Sequence, residues 1–332
     1  MGSSPDLGSA GMGDTTREIV DPHHHLWPAD FAGGAMGAYA LDELRADTDT
    51  VPAVVATIFM ECHCSYWPDG PEHLRPVGET EYVAGLADES ERTPGATIVG
   101  IVGHADLTLP LDQLDEVLDA HEAAAGGRFR GIRDALASVP PGMTLMIPGG
   151  ADPDRSTDPD FRRGIAHLGE RGLTYDTWQY HEQLGDLIEL ARAVPGTTIV
   201  CDHFSTPLGV GEYAGRHDEI FEAWCPQLAE LAACPNVVAK LGGLAMPDNG
   251  FWALGGERPD VDGFLAVQER WYHHAIECFG PDRCMFESNF PVDKISVDYA
   301  VVWEAFERIA ERHTPDEQAQ LFAGTARRVY RV

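Results

Sequence analysis

Eight short apolar runs, most of them followed by a longer amphipathic stretch, constrain the fold of this chain more than any other feature. The runs are Glu18–Val20, Ala53–Met60, Thr97–Val102, Phe129–Arg133, Leu173–Thr177, Thr197–Cys201, Val237–Leu241 and Cys284–Phe286. Each has the length of a strand, and several are rich in β-branched residues. Helical patterns occupy Asp112–Ala125, Pro159–Arg171, Gln183–Val194, Asp218–Ala233, Val261–Phe279 and Val297–Arg312. Asp158-Pro159 opens one of these and Gly280-Pro281 follows another, which is the punctuation expected at helix ends. Alternating β and α segments imply a parallel sheet, and eight such units in 332 residues imply a single-domain (β/α)8 barrel of the TIM type. An open doubly wound sheet is the alternative. It calls for a Gly-rich phosphate loop after the first strand, and a histidine cluster stands there instead.

That cluster is Asp21-Pro22-His23-His24-His25-Leu26-Trp27. Side chains two apart on a strand share a face, so Asp21, His23 and His25 point one way, and the Cα atoms of the two histidines lie roughly 7 Å apart. Their rings can converge on one metal ion, and imidazole suits Zn, Fe, Ni and Cu. His24 points to the other face. In such a barrel the catalytic groups stand where strands end. The ends supply Glu61 and His63, then His104, Arg133, Tyr180, His203, Lys240, and finally Glu287 and Asn289. His203 reads as a third ligand or a base, and Glu61 as a ligand or an ion-pair partner. Arg133 suits a bidentate clamp on a substrate carboxylate, or neutralisation of its acidic neighbours; Lys240 reads likewise. Trp27, Tyr66, Trp67, Trp178 and Tyr180 line a pocket or pack in the core. Four long connections, Cys62–Thr80, Leu136–Asp158, Phe204–Asp218 and Ala245–Asp260, are expected to build the substrate pocket.

A formal net charge of −31 argues against nucleic acid or an anionic membrane as partner, since both need a basic face. The seven cysteines form no Cys-x-x-Cys pair, which points to reduced thiols in a cytoplasmic protein rather than a zinc finger or a disulfide framework. Residues 1–16 are rich in Gly and Ser, lack a basic and an apolar region, and read as a disordered tail rather than a signal peptide. No apolar run reaches membrane-spanning length.

Seven segments carry a resemblance: IVDPHHHLW (19–27), RFRGIRDAL (128–136), LTYDTWQYHEQL (173–184), TIVCDHFSTPLG (198–209), NVVAKLGGLAMP (236–247), CMFESNFPVDK (284–294) and LFAGTARRVYRV (321–332). In that order the chain resembles the amidohydrolase superfamily, in its branch of lactonases, dicarboxylate-lactone hydrolases and decarboxylases. The resemblance implies a distorted (β/α)8 barrel over residues 17–332 with its site at the C-terminal ends of the strands. It places His23 and His25 on the family's strand-one histidine pair and His203 on its strand-six histidine. Two departures stand out. Family hydrolases usually carry an aspartate on strand eight as metal contact and general base; here that position is Asn289, whose amide takes no proton near pH 7. Glu287, on the same face, is the substitute. Asp21, Glu61, His63 and His104 also exceed what one catalytic ion needs. Together with His23, His25 and His203 they suffice for two ions.

The leading expectation is a metal-dependent hydrolase of a small carboxylate-bearing lactone or amide. His23, His25 and His203 hold one or two divalent ions (Zn, Fe or Mn), Glu287 or Glu61 takes the proton, and Arg133 holds the carboxylate. The surplus of ligands is also similar to that of superfamily members that hydroxylate C–H bonds at a dinuclear iron or iron–manganese centre, which is the second expectation. A non-catalytic barrel subunit is the third. The partner expected is a small molecule, and a homodimer is the prior for such barrels.

Overall fold

The computed structural model describes residues 17–31, 37–253 and 255–332; the tail expected over residues 1–16 lies outside them. Eight strands form one parallel sheet in sequential order: β1 (Ile19–His24), β2 (Val54–Met60), β3 (Thr97–Gly103), β4 (Phe129–Arg133), β5 (Thr174–Thr177), β6 (Ile199–Cys201), β7 (Val237–Leu241) and β8 (Cys284–Phe286). Around it run α1 (Leu41–Thr48), α2 (Val77–Arg92), α3 (Leu111–Ala124), α4 (Pro159–Glu170), α5 (Leu184–Ala193), α6 (His217–Ala232), α7 (Val261–Phe279) and α8 (Tyr299–Ala310), followed by α9 (Pro315–Ala319) and α10 (Thr325–Tyr330). The seam between β8 and β1 is closed beyond the end of β8. There His24 bridges Phe290, His25 N donates to Phe290 O at 2.8 Å, and Asn289 N donates to His23 O at 3.0 Å. This is the (β/α)8 barrel read from the sequence.

Apolar side chains fill two layers. The larger lies between strands and helices; the smaller fills the barrel, where Val20, Ile58, Met60, Val102, Val200, Val238 and Met285 meet Ala326, Val329 and Tyr330 of α10. α10 stoppers the end where the strands begin: Thr325 Oγ1 donates to Pro281 O at 3.2 Å, just before β8, and Arg327 reaches Glu18 at 2.7 Å, just before β1. Strands buried on both faces normally read as continuous apolar runs. β5 breaks that rule with Thr-Tyr-Asp-Thr, and Asp176 is fully buried. Its carboxylate accepts from Lys240 Nζ at 3.1 Å and from the Tyr330 hydroxyl, so the polar interior is paired rather than bare. Among the described residues no helix is long and apolar enough to cross a membrane.

The differences from the sequence reading are local. β1 runs on to His24, with register shifts against β2, so Asp21 and His23 sit within the strand rather than beyond it. α2 begins at Val77, which shortens the first long connection. Its buried face is built from Thr80, Val83, Ala84 and Ala87, residues too small or too polar to announce an amphipathic helix.

Asp21 does not face the metal-ligand candidates. It ties the seam together, with Oδ1 accepting from Ser288 N at 3.0 Å and Oδ2 from the Tyr299 hydroxyl of α8 at 2.9 Å. Burial pushes its carboxyl up to about 6. Tyr299→Phe leaves one buried oxygen without a donor. It is expected to destabilise the fold by about 1–3 kcal/mol, read as a lower urea midpoint with the slope unchanged; an unaltered midpoint would remove Asp21 from this role.

Candidate active site

The C-terminal ends of β1 and β6 bring three imidazoles together, with Glu287, just after β8, behind them. His23 and His25 leave β1, with Nε2 atoms 3.3 Å apart. Two neutral ring nitrogens that close share either a proton or a cation between them. The other nitrogen of each ring already has company. His25 Nδ1 meets the Met60 carbonyl at 2.8 Å, which fixes it as the protonated nitrogen and leaves Nε2 as a lone pair. His23 Nδ1 lies 2.8 Å from Glu287 Oε2 and, less closely, 3.3 Å from Lys240 Nζ. His203 Nδ1 meets Glu287 Oε1 at 2.7 Å. One carboxylate therefore spans the inner nitrogens of two imidazoles and leaves their outer nitrogens on the opposite side, that of His203 at the cavity and that of His23 against His25 Nε2, as outer-shell partners of metal-binding histidines do.

His203 reaches this position through unusual backbone. His203, Phe204, Ser205 and Thr206 all have positive φ, between 34° and 57°. Left-handed backbone costs non-glycine residues roughly 1–2 kcal/mol each. Trp224 Nε1, donating to Phe204 O at 2.9 Å, and the packing of Phe204 on Tyr272 hold the turn. Gly243 makes room for it: a Cβ there would stand 2.3 Å from His203 Nδ1, and its φ of +75° suits glycine alone.

Charge surrounds these rings. Glu61, Asp176, Asp202 and Glu287 are buried together with Arg133 and Lys240, four carboxylates against two cations, leaving a formal −2. Lys240 sits between Asp176 and Asp202, at 3.1 and 3.2 Å. Arg133 Nε donates to Glu61 Oε1 at 2.7 Å, a second nitrogen bonds the Glu61 carbonyl, and Nη1 stands 3.4 Å from His23 Nε2 and 3.6 Å from Asp202 Oδ2. Oε2 of Glu61 has no hydrogen-bond donor among the described residues, and the oxygens of Asp202 make no hydrogen bond there beyond their ion-pair contacts to Lys240 and Arg133. Burial first, and for His25 the nearby Arg133 charge, push His25 and His203 down to about 3, and His23 well below its ordinary range. The three imidazoles are neutral at pH 7. Neutral nitrogen donors, an orphaned buried carboxylate oxygen and a formal −2 fit a divalent cation. His23, Asp202 and His203 present ligand atoms within 4.8 Å of one another.

A cavity of about 320 Å³ opens above them, with His25, Glu61, Arg133, His203 and Asn289 in its floor and Trp27, Phe31, Met146, Trp178, Met246 and Val292 in its walls. The other expected residues lie elsewhere. Glu287 and Lys240 are fully buried beneath the rings and do not line the cavity, so neither is placed to touch a substrate. Arg133 lines it, but its fork is spent on Glu61, which leaves Nη1 rather than a bidentate clamp. Tyr180 acts from behind: its hydroxyl accepts from Gly149 N at 2.8 Å and donates to Ile147 O at 3.2 Å, setting the wall segment 146–150. Asn289 Nδ2 donates to Asp293 Oδ1 at 2.8 Å, which leaves its carbonyl oxygen to accept in the cavity. His63 and His104 form a separate group with Glu61. Asp176 and Asp293 escaped the sequence reading, and Asp202, which stands beside His203 at a strand end, was given no role. A carboxylate inside or just after a buried strand was their signal.

The family model described as amidohydrolase matches residues 20–332. The uncharacterized protein y4mH of Sinorhizobium fredii is 32% identical over 331 residues, which is 95% of this chain and 98% of that protein. An L-fucono-1,5-lactonase of Burkholderia multivorans is 30% identical over 320 residues, covering 94% and 95%. The crystal structure of an amidohydrolase from Burkholderia multivorans with bound zinc superposes with a TM-score of 0.74 at 28% identity, over 95% of this chain and 99% of that one. With a matched family model across nearly its whole length and a buried histidine–carboxylate centre at the strand ends, this chain is an enzyme of the amidohydrolase family, a metal-dependent hydrolase by its kinship.

Proposed function

We propose that the chain hydrolyses a small lactone at one divalent ion held by the outer nitrogens of His23, His25 and His203. The observation that carries this reading is the set of three neutral imidazoles, pinned from behind by Glu287 and Met60, over buried groups with a formal −2. When bound, a divalent ion lowers the pKa of its water toward about 7 and polarises the scissile carbonyl.

The chain's own residues supply the rest. Asn289 Oδ1 accepts one hydrogen of the attacking water and orients it. Glu61 is the only carboxylate among the described residues lining the cavity, and its Oε2 is uncommitted. Burial works to raise its carboxyl, but the neighbouring His63, Arg133 and His104 outweigh that and hold it at about 2. It is therefore always ionised, a weak base in the right place, and it takes the proton as the water oxygen bonds to the carbonyl carbon. The same proton passes to the ring oxygen as the ester C–O bond breaks. Arg133 Nη1 meets the carbonyl or a carboxylate of the substrate. Trp27, Phe31, Trp178 and Met246 cover its apolar part, a lining that favours a less hydroxylated lactone than the sugar lactone named for the Burkholderia relative. Lactonase relatives favour hydrolysis over oxygenation, and the enzymes of this kinship leave no support for a non-catalytic barrel.

A panel of 1,4- and 1,5-lactones, sugar and alkyl, assayed with the zinc-loaded protein is expected to give turnover, highest for lactones with an apolar substituent; no turnover on any lactone contradicts the proposal. Glu61→Gln should cut kcat by about 10²–10⁴ with the first ion retained, whereas His25→Ala should weaken metal binding by ~100-fold or more, the upper end of what losing even an outer partner costs. Because the imidazoles are already neutral, protons compete for them only near pH 4 and below. Zinc affinity should be nearly flat from pH 8 to pH 5, where one ordinary histidine ligand would cost about thirtyfold. A loss of that size would mean the rings are not held neutral.

A further inference from the structure

We infer that Glu61, His63 and His104 form a second divalent-cation site on the rim of the cavity, distinct from the centre at His23 and His25, and that filling it slows hydrolysis. The ligand atoms of these three residues lie within 4.8 Å of one another. Each has one atom tied back and one left over. Glu61 gives Oε1 to Arg133 at 2.7 Å, while Oε2, on a residue only 2% exposed, has no hydrogen-bond donor. His104 Nδ1 meets the Arg133 carbonyl at 3.0 Å, and an acceptor there makes it the protonated nitrogen, so Nε2 carries the lone pair. His63 Nδ1 meets the Tyr66 hydroxyl at 2.9 Å, and its Nε2 points to Glu61 Oε2 at 3.5 Å. The two rings stand edge to face, 5.0 Å between centroids.

The backbone is arranged for this. His63 has a φ of +63°, a left-handed conformation that a histidine adopts at a cost. His104 is held from below, its carbonyl bonded by His121 Nε2 at 3.0 Å, with Thr80 on the other face of that ring at 2.8 Å. Two imidazoles and one carboxylate on one side of an ion leave its other positions open, the pattern that suits zinc, iron(II), cobalt(II) or manganese(II). Those open positions face solvent: His104 and Tyr66 line an adjoining cleft of about 530 Å³. Arg133 stands between the two sites, with Nε on Glu61 and Nη1 toward His23 Nε2 at 3.4 Å. With His63 63% exposed, this site fills after the buried one.

The consequence rests on the role proposed above for Glu61. A cation on Oε2 takes the oxygen that otherwise receives the proton from water, so the second ion inhibits. The test is a cobalt(II) titration of the metal-stripped full-length protein, followed by calorimetry and visible absorption, with zinc turnover measured in parallel. Two equivalents are expected, the second weaker. His63→Ala, which removes an exposed side chain and leaves the core intact, should take up one, as should His104→Ala; His25→Ala should keep only the weaker step. Turnover should peak near one equivalent and fall at least about tenfold as the second binds, consistent with the loss of a positioned base. Saturation at one equivalent that is lost in His25→Ala and kept in His104→Ala, or a second equivalent that survives both His63→Ala and His104→Ala, overturns the site. Turnover unchanged through the second equivalent overturns the inhibition. A single bound ion that is lost in His104→Ala but kept in His25→Ala would leave the rim site standing and remove the proposed hydrolytic centre.

Discussion

The Glu287 carboxylate lies between the inner nitrogens of His23 and His203, and the chemistry of the barrel depends on that contact. A ring nitrogen facing a carboxylate carries its proton there and shows its lone pair on the opposite side. Two strands far apart in sequence, β1 and β6, thereby present donors at one point, oriented by a carboxylate that follows β8. The arrangement is costly. It buries Glu287, Asp202, Asp176 and Glu61 with only Lys240 and Arg133 to balance them, and unpaired charge in a dry interior is expensive. The fold tolerates it because the cations are shared, Lys240 between Asp176 and Asp202, Arg133 between Glu61 and Asp202. Tyr330, from the helix that stoppers the far end, completes the chain of contacts through Asp176. Barrel closure and site construction are therefore one problem here, solved by the same side chains.

In the proposed hydrolysis, Asn289 changes where the proton goes. Its nitrogen is committed to Asp293, so its oxygen is left to orient rather than to accept a proton. The only carboxylate at the cavity surface among the described residues is then Glu61, at the end of β2, with β1 between it and the strand-eight position. That move joins acid–base chemistry to the loop after β2. A residue that works beside His63 and His104 is exposed to whatever those two imidazoles bind, whereas the strand-eight position is shielded by the seam.

Much of this was legible in the chain. The eight strands fall where apolar runs predict them, β4, β7 and β8 residue for residue, because strands buried on both faces are mostly apolar. His23, His25 and His203 were legible because histidines at strand ends have few bland explanations. What the sequence hid follows from geometry. Asp21 shares its face with His23 by count, yet the seam bond to Ser288 N takes its carboxylate away from the cavity. Lys240 and Glu287 read as groups at the mouth but lie one layer below it, since strand-end position does not fix depth. For Arg133 the sequence leaves a substrate clamp and neutralisation of acidic neighbours equally open, because its partner Glu61 is 72 residues away in sequence. α2 was missed because its buried face is small and polar.

The proposed hydrolysis requires a cation among the outer nitrogens of the strand-one and strand-six histidines. Anomalous diffraction at the zinc edge, from crystals of the full-length protein grown with one equivalent of zinc, tests that most directly. The expected result is one strong peak about 2.0–2.1 Å from Nε2 of His23, His25 and His203. A peak only at Glu61, His63 and His104, or none with Arg133 still lying against His23, would contradict it.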